Sequence, residues 1–505
     1  MLAAMKRTHW SVWITTALGM LWLAVFPLWH DGSYSRITHA KWEAMVVLTG
    51  VAIVGAGLML TGMASRRELR SRVRLSWIHT AALAYFGLVA LSAVFGSWAD
   101  YHNEAGQLTV LWGARRYEGL ITQGYYLLIF LCMSLTRVRV DRLLDAAAAS
   151  LIIHCVIIGI QYFDVNVFDL FPIGTSMRRN PEFQGTIGNT NMVVGYIALV
   201  MPTLLSAFAV MKRPGWLWLP AGLAAVLLVL CIKVDNGIVV LGATIVFLIL
   251  LALRRPECRW KVLVILGFIL LLITFRKLLG LPWFDWKENI VFPRTLKMER
   301  LLPGIIGLAV LLLAPVAKRW PGPAMSVRAI TALVLVVVVA ALAVVYFAPI
   351  PQNSFIWQLQ EILHGRPQDA FGSERIGIWR VTLEMSRKNL LWGTGPDTFL
   401  YAMDHHLWET GQTLTQRFDN PHNLYLGVLS NSGLPAMLLF VTLCGGAAFC
   451  AFRRVKKDDA MLPLLLAVVG YLLQGMFTFS ICLVTPMFWA MLGMMTAQMN
   501  EKIEE

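Results

Sequence analysis

Apolar runs with no ionisable side chain recur along this chain; Ala44–Ala64, Met192–Met211 and Ala329–Ala348 are three of them. A helix needs about 20 apolar residues to cross a hydrocarbon core about 30 Å thick. Fourteen windows fit that pattern, near 10–29, 44–64, 76–96, 119–135, 146–163, 191–211, 216–232, 237–253, 260–275, 301–317, 328–348, 424–452, 460–477 and 482–498. Trp10–Trp29 is read as a retained first span, because no clear small-residue cleavage site marks it as a signal peptide and a membrane chain follows. The expected fold is all-α, a polytopic integral membrane bundle of about 12–14 transmembrane helices. One long polar stretch interrupts the series. It divides the chain into 1–348 with eleven spans, a large loop at 349–423, and 424–505 with three spans.

Inside the loop, Ile376, Trp379, Leu383 and Met385–Ser386 recur at near-helical spacing. They predict an amphipathic helix over Gly372–Asn389 with Ser373 as its cap. Gly393, Gly395 and Pro396 then predict a turn, and Asn431, Ser432 and Gly433 an interruption of the following span. Lys and Arg gather in alternate connections. Examples are Lys6 and Arg7, Arg137, Arg139 and Arg142, and Arg453, Arg454, Lys456 and Lys457. The positive-inside rule puts these connections and both termini in the cytoplasm and the large loop outside.

Composition agrees with a membrane chain. Hydrophobic residues make up 58% and charged residues 14%, against roughly 45–50% and 25% in soluble domains. A formal charge of +14 would suggest nucleic acid in a soluble protein. Here it reflects cytoplasmic basic loops, and no nucleic-acid partner is expected. Seven cysteines without a CxxC, none in the large loop, support neither a disulfide framework nor a zinc site. The external segments nevertheless hold cations: Arg115 and Arg116, Arg178 and Arg179, several between Arg276 and Arg300, then Arg375, Arg380 and Arg417. As a set they suggest an anionic ligand on the outer face. Pairing with lipid headgroups is the plainer explanation for any one of them.

Three segments carry candidate chemistry. In GSERIGIWRVTLEMSRKNLLWGTGPDTF (372–399), Arg375 and Trp379 share a helix face. A guanidinium stays charged and offers phosphate a planar fork; equally, these arginines can pair with Glu374 and Glu384. In FDNPHNLYLGVLSNSGLPAMLLF (418–440), His422 sits beside Asn423 where the loop re-enters the membrane. A histidine there can take or guide a hydroxyl proton, or merely cap a helix. His364, His405 and His406 are equal candidates by residue type. In SMRRNPEFQGTIGNTNMVVGYIALVMP (176–202), Arg178 and Arg179 precede a Gly/Asn turn whose Asn189 or Thr190 can cap the next span.

Together these segments resemble the O-antigen ligase and O-antigen polymerase superfamily of bacterial integral membrane proteins. The matching elements are GTIGNTN (Gly185–Asn191), RIGIW (Arg375–Trp379) followed by GTGPDTF (Gly393–Phe399), and PHNLYLGVLSNSGLP (Pro421–Pro435). GARRYEGL (Gly113–Leu120) resembles a further Arg-x-Glu-Gly-Leu element of some members. Pro421 and Pro435 depart from the usual pattern, as does a count above about twelve spans.

The resemblance implies an inverting, metal-independent glycosyltransferase with no cofactor. It would move an oligo- or polysaccharide from undecaprenyl diphosphate to an acceptor hydroxyl during lipopolysaccharide or cell-surface polysaccharide synthesis. The site would face outward from the bacterial cytoplasmic (inner) membrane. Arg375 and His422 match the catalytic pair. Arg178 or Arg179, Arg380, Asn423 and Trp379 match supporting positions on the lipid diphosphate or glycan. The partners implied are the lipid-linked donor, a glycan, lipid or protein acceptor, and membrane lipids. A lipid-linked oligosaccharide flippase is the rival; it should show two related halves and functional charge at mid-bilayer.

Overall fold

The computed structural model describes residues 2–62, 75–172, 184–212, 214–232, 234–278, 298–352, 354–414 and 416–500. Arg178 and Arg179 lie outside the described residues. The helices are α1 (Leu2–Met20), α2 (Ile37–Gly62), α3 (Trp77–Phe95), α4 (Leu120–Met133), α5 (Val140–Tyr162), α6 (Thr190–Val210), α7 (Trp218–Cys231), α8 (Asp235–Arg254) and α9 (Arg259–Leu278). They continue with α10 (Met298–Arg319), α11 (Val327–Phe347), α12 (Phe355–Leu363), α13 (Arg375–Arg387), α14 (Phe399–Thr410), α15 (Leu424–Arg454), α16 (Met461–Gln474) and α17 (Thr485–Asn500).

The all-helical membrane fold agrees with the apolar pattern, and each of the fourteen windows holds a helix. Length separates them. Ten helical spans among the described residues are long and apolar enough to cross a membrane. Helices α4, α7 and α16 have only 14 residues each. At 1.5 Å per residue that is about 21 Å, short of a ~30 Å core. Helix α17, with 16 residues, is buried almost throughout. By length and composition, ten candidate spans stand among the described residues, with these shorter apolar helices beside them, in keeping with the expected polytopic bundle.

Helix α6 is the centre of the bundle, with 94% of its apolar window buried, whereas α11 has none of its window buried. An apolar sequence on all faces suits both places, since protein and lipid tails are alike to it. The large loop is folded around its own small core. Ile378, Val381 and Met385 of α13 meet Phe399, Ala402 and Met403 of α14, with Phe418 beside them. Helix α13 begins at Arg375, and Ser373 does not cap it. A cap residue needs extended backbone, but Ser373 and Glu374 have φ of 58° and 67°.

The predicted interruption of α15 falls at Gly433, whose φ is 82° and ψ 171°. The loop repairs it. Thr394 N–H donates to the Ser430 carbonyl at 2.8 Å, and Gly395 N–H to that of Asn431 at 2.9 Å. Leu434 N–H returns a bond to the Leu390 carbonyl at 2.7 Å. Ser92 Oγ of α3 donates to the Asn431 carbonyl at 2.7 Å. Glycine is required on both sides of this seam. A Cβ on Gly433 would stand 2.3 Å from the Leu391 carbonyl oxygen, and one on Gly393 2.6 Å from that of Ser430.

Gly433→Ala therefore costs more than about 1 kcal/mol, because positive φ and a backbone clash combine. Gly445→Ala on the same helix, where nothing lies within 4 Å of the new Cβ, is the control and stays neutral or better. Thermal unfolding of both variants in detergent checks this.

Candidate active site

The seam fixes where the loop returns to the membrane. Asn423 caps α15, its side-chain oxygen accepting from the backbone N–H groups of Tyr425 and Leu426, both at 3.0 Å. Its amide donates to the Met476 carbonyl at 3.1 Å. Asn423 is thus a structural cap. His422 precedes it with φ 47°, its backbone N–H donating to Asn420 Oδ1 at 2.9 Å. The imidazole stands edge-on to Phe418 and Phe479, with ring centres 6.1 and 5.5 Å away. Among the described residues no side chain or carbonyl bonds either ring nitrogen.

Helix α13 reaches this turn through Trp379, whose Nε1–H donates to the Pro421 carbonyl at 3.0 Å. Arg375, one turn earlier on the same face, donates from Nη1 to the Gly372 carbonyl at 2.7 Å. Arg116 arrives from the segment before α4. Its Nε and Nη2 both lie 2.6 Å from Asp419 Oδ2, and its guanidinium carbon lies 4.3 Å from the Phe479 ring centre. Burial, then the charges of Arg375 and Arg116, hold the His422 imidazole down at about 4, with Asp419 opposing. His422 is therefore neutral at pH 7 and gains its proton only as pH falls toward 4.

Beside this turn lies a cavity of about 90 Å³, walled by Arg116, Glu118, Asp397, Asp419, Asn420 and Asn431 and floored by aromatic rings that include Trp489. Glu118 is 8% exposed. Its carboxylate accepts from Tyr126 at 2.6 Å, Ser480 at 3.1 Å and Gln123 at 3.3 Å. Burial pushes it up to about 8. Asp397 accepts from the backbone N–H of Ala114 at 2.8 Å, and burial raises its carboxyl to about 6. Five of the eight non-glycine residues with positive φ among the described residues, Tyr117, Ser373, Glu374, Asp397 and His422, lie on these turns. Backbone held in that region costs about 1–3 kcal/mol per residue and tends to gather at functional sites.

Of the sequence-derived candidates, Arg375, Trp379, His422 and Asn423 come together. Arg380 does not join them. It faces solvent, paired with Asp369 at 2.7 Å and Glu384 at 3.2 Å. Arg417 pairs with Asp404, its Nε 2.7 Å from Oδ2. The other histidines separate by neighbours: His364 packs on Tyr346, while His405 and His406 line a different surface groove. Arg116, Glu118, Asp397 and Asp419 were not singled out as site residues. The GARRYEGL element holds the first two, and Arg116 also stands among the external cations of the sequence.

Residues 301–441 match the family model described as O-antigen ligase. The match spans Arg375, Trp379, Arg380, His422 and Asn423 and supports the O-antigen ligase and polymerase superfamily to which the motifs point. No curated protein matches the chain. In general terms the match supports an O-antigen ligase-like membrane glycan transferase, and with the apolar helices it points to a bacterial membrane protein.

Glu118 has a raised carboxyl, so its contribution to stability is full below its ordinary value of 4.5 and fades as pH rises through about 8. Glu118→Gln removes that dependence. Between pH 5 and pH 8 the melting temperature of the wild type falls relative to the variant, which unfolding scans in nanodiscs read directly.

Proposed function

We propose that the protein transfers a glycan from undecaprenyl diphosphate to an acceptor hydroxyl at the extracytoplasmic face of the bacterial inner membrane. The observation that carries this reading is the meeting of three elements at one turn: His422 packs on Phe479, Arg116 covers the same ring, and the helix that carries Arg375 is joined to the turn by the Trp379–Pro421 bond.

The chemistry is a displacement at the anomeric carbon. The acceptor oxygen forms the new bond while the bond from that carbon to the diphosphate oxygen breaks. The electron pair leaves with the lipid diphosphate, where Arg375 and Arg116 stabilise the developing charge. The acceptor proton passes to a His422 ring nitrogen and then to solvent. A single displacement inverts the anomeric centre. An imidazole titrating near 4 is a weak base in the free protein. Burial is the largest cause of that depression and the two cations add to it; a bound diphosphate offsets the cations' share, so donor binding raises the basicity of His422. Trp379 holds the His422 turn against the arginine helix, and Asn423 anchors it to α15.

Two outcomes are expected. With undecaprenyl-diphosphate-linked oligosaccharide from the native host and EDTA present, purified wild-type protein in nanodiscs forms transfer product. Arg375→Ala and His422→Ala lose at least about 100-fold, the scale of one general base or one charge-stabilising donor. Arg380→Gln stays within a few-fold. Movement of the lipid across liposomes without product overturns the proposal. Second, in the pH dependence of transfer, kcat/KM for donor falls only as pH drops toward 4. The acid limb of kcat, which reports the donor complex, lies at higher pH than that of kcat/KM.

A further inference from the structure

The cavity beside His422 differs chemically from the diphosphate position. Its charged groups are Arg116, Glu118, Asp397 and Asp419. The one guanidinium is already bonded to Asp419, so the wall holds no surplus positive charge. Two buried carboxyl groups remain, and they repel an anion or, when protonated, offer hydroxyl-type hydrogen bonds. A diphosphate is ill served by that wall. Arg375, the cation beside His422, is not part of it.

What the wall does offer is a set of oriented hydrogen-bonding groups over an aromatic floor. Asn431 Oδ1 is buried and has no hydrogen-bond partner in the protein, although the backbone carbonyl of the same residue is fully used in the seam. Asp397 Oδ2 is held by the Ala114 N–H, and Glu118 is fixed by Tyr126, Gln123 and Ser480. Tyr85, Phe440 and Trp489 supply ring faces below. At roughly 10–15 Å³ for each water-sized sphere, 90 Å³ admits about six to nine such spheres, the scale of one sugar residue and far from that of a prenyl chain. A concave, mostly apolar site with a few convergent polar groups is the general form of a small-molecule pocket.

We propose that this cavity binds a neutral, hydroxyl-rich pyranose, the terminal sugar of the acceptor, and that Asn431, Asp397 and Glu118 are its hydrogen-bonding partners. The word acceptor rests on the transferase reading; the sugar pocket itself does not. Phe479 connects the two positions: it lines the cavity, its ring centre is 5.5 Å from that of His422, and Arg116 covers it at 4.3 Å. A hydroxyl presented from the cavity would thus meet His422 while the diphosphate stays on the Arg375 side, with Arg116 between the two.

The test uses the full-length protein in nanodiscs and two probes. One is a panel of methyl pyranosides (glucose, galactose, N-acetylglucosamine and rhamnose) read by saturation-transfer NMR. The other is inorganic pyrophosphate, read by phosphorus line broadening. At least one pyranoside is expected to bind the wild type, with its affinity lowered about ten-fold in Asn431→Leu and in Asp397→Asn. Asn431→Leu removes no protein hydrogen bond of the side-chain oxygen, and unchanged melting temperatures show that the fold persists. Pyrophosphate binding is expected to survive both substitutions and to be lost in Arg375→Ala. The pocket proposal is overturned if no pyranoside binds, if both variants bind it like the wild type, or if Asn431→Leu abolishes pyrophosphate binding instead. Pyrophosphate binding that Arg375→Ala leaves intact counts against the transferase reading alone.

Discussion

Backbone hydrogen bonding at the break in α15 is the constraint on which the rest of the site depends. Polar backbone groups inside a membrane protein must be satisfied by protein or by a water-filled cavity. At Gly433 the helix gives up its regular bonds, and the segment from Leu390 to Gly395 takes over the orphaned groups. That exchange pins a loop far away in sequence to the top of a spanning helix. Once pinned, the loop places Asp397 behind the Arg116 segment and sends α14 back over α13. The returning chain then closes at His422 and Asn423, which caps the start of α15, the helix that holds the break.

A second consequence is electrostatic. The site gathers ionisable groups that a membrane surface would ordinarily keep hydrated, and it partitions them. Arg375 lies on the His422 side, Arg116 stands between His422 and the cavity, and burial together with these two charges lowers the imidazole's affinity for a proton. Glu118 and Asp397 lie in the cavity, where burial raises both carboxyls. Asp419 sits between them, held ionised by Arg116 despite its burial. Two different chemical faces thus lie within one ring contact of each other. The proposed transfer makes use of such a division, since in that proposal one substrate brings a diphosphate and the other a hydroxyl.

The sequence was most legible where one physical rule dominates. Apolar windows located every long helix, and the Gly-x-Gly turn and Asn-Ser-Gly step located both halves of the seam. It was less legible where tertiary contacts decide. Window length could not show that α4, α7 and α16 are only 14 residues long, because apolar residues continue into their turns. Ser373 looked like a cap until its left-handed backbone was seen. Sequence places Arg380 on the same amphipathic helix as Arg375 and makes it a supporting position. Asp369, drawn in by the fold of the loop, joins Glu384 in pairing with Arg380 in solvent. Glu118 and Asp397 were hidden for a similar reason: 279 residues separate them, and no local pattern marks either as buried beside the other.

The central claim is that Arg375, Arg116 and His422 form one site for a polyprenyl diphosphate. Photo-crosslinking with a polyprenyl diphosphate bearing a diazirine next to the diphosphate, followed by peptide mapping, tests it most directly. Labelling concentrated in residues 114–118, 371–380 and 418–424, and suppressed by excess unlabelled lipid diphosphate, is the expected result. Competable labelling confined to the basic connections around Arg254–Lys261 or Arg453–Lys457, with none on those three segments, contradicts a shared site at the loop.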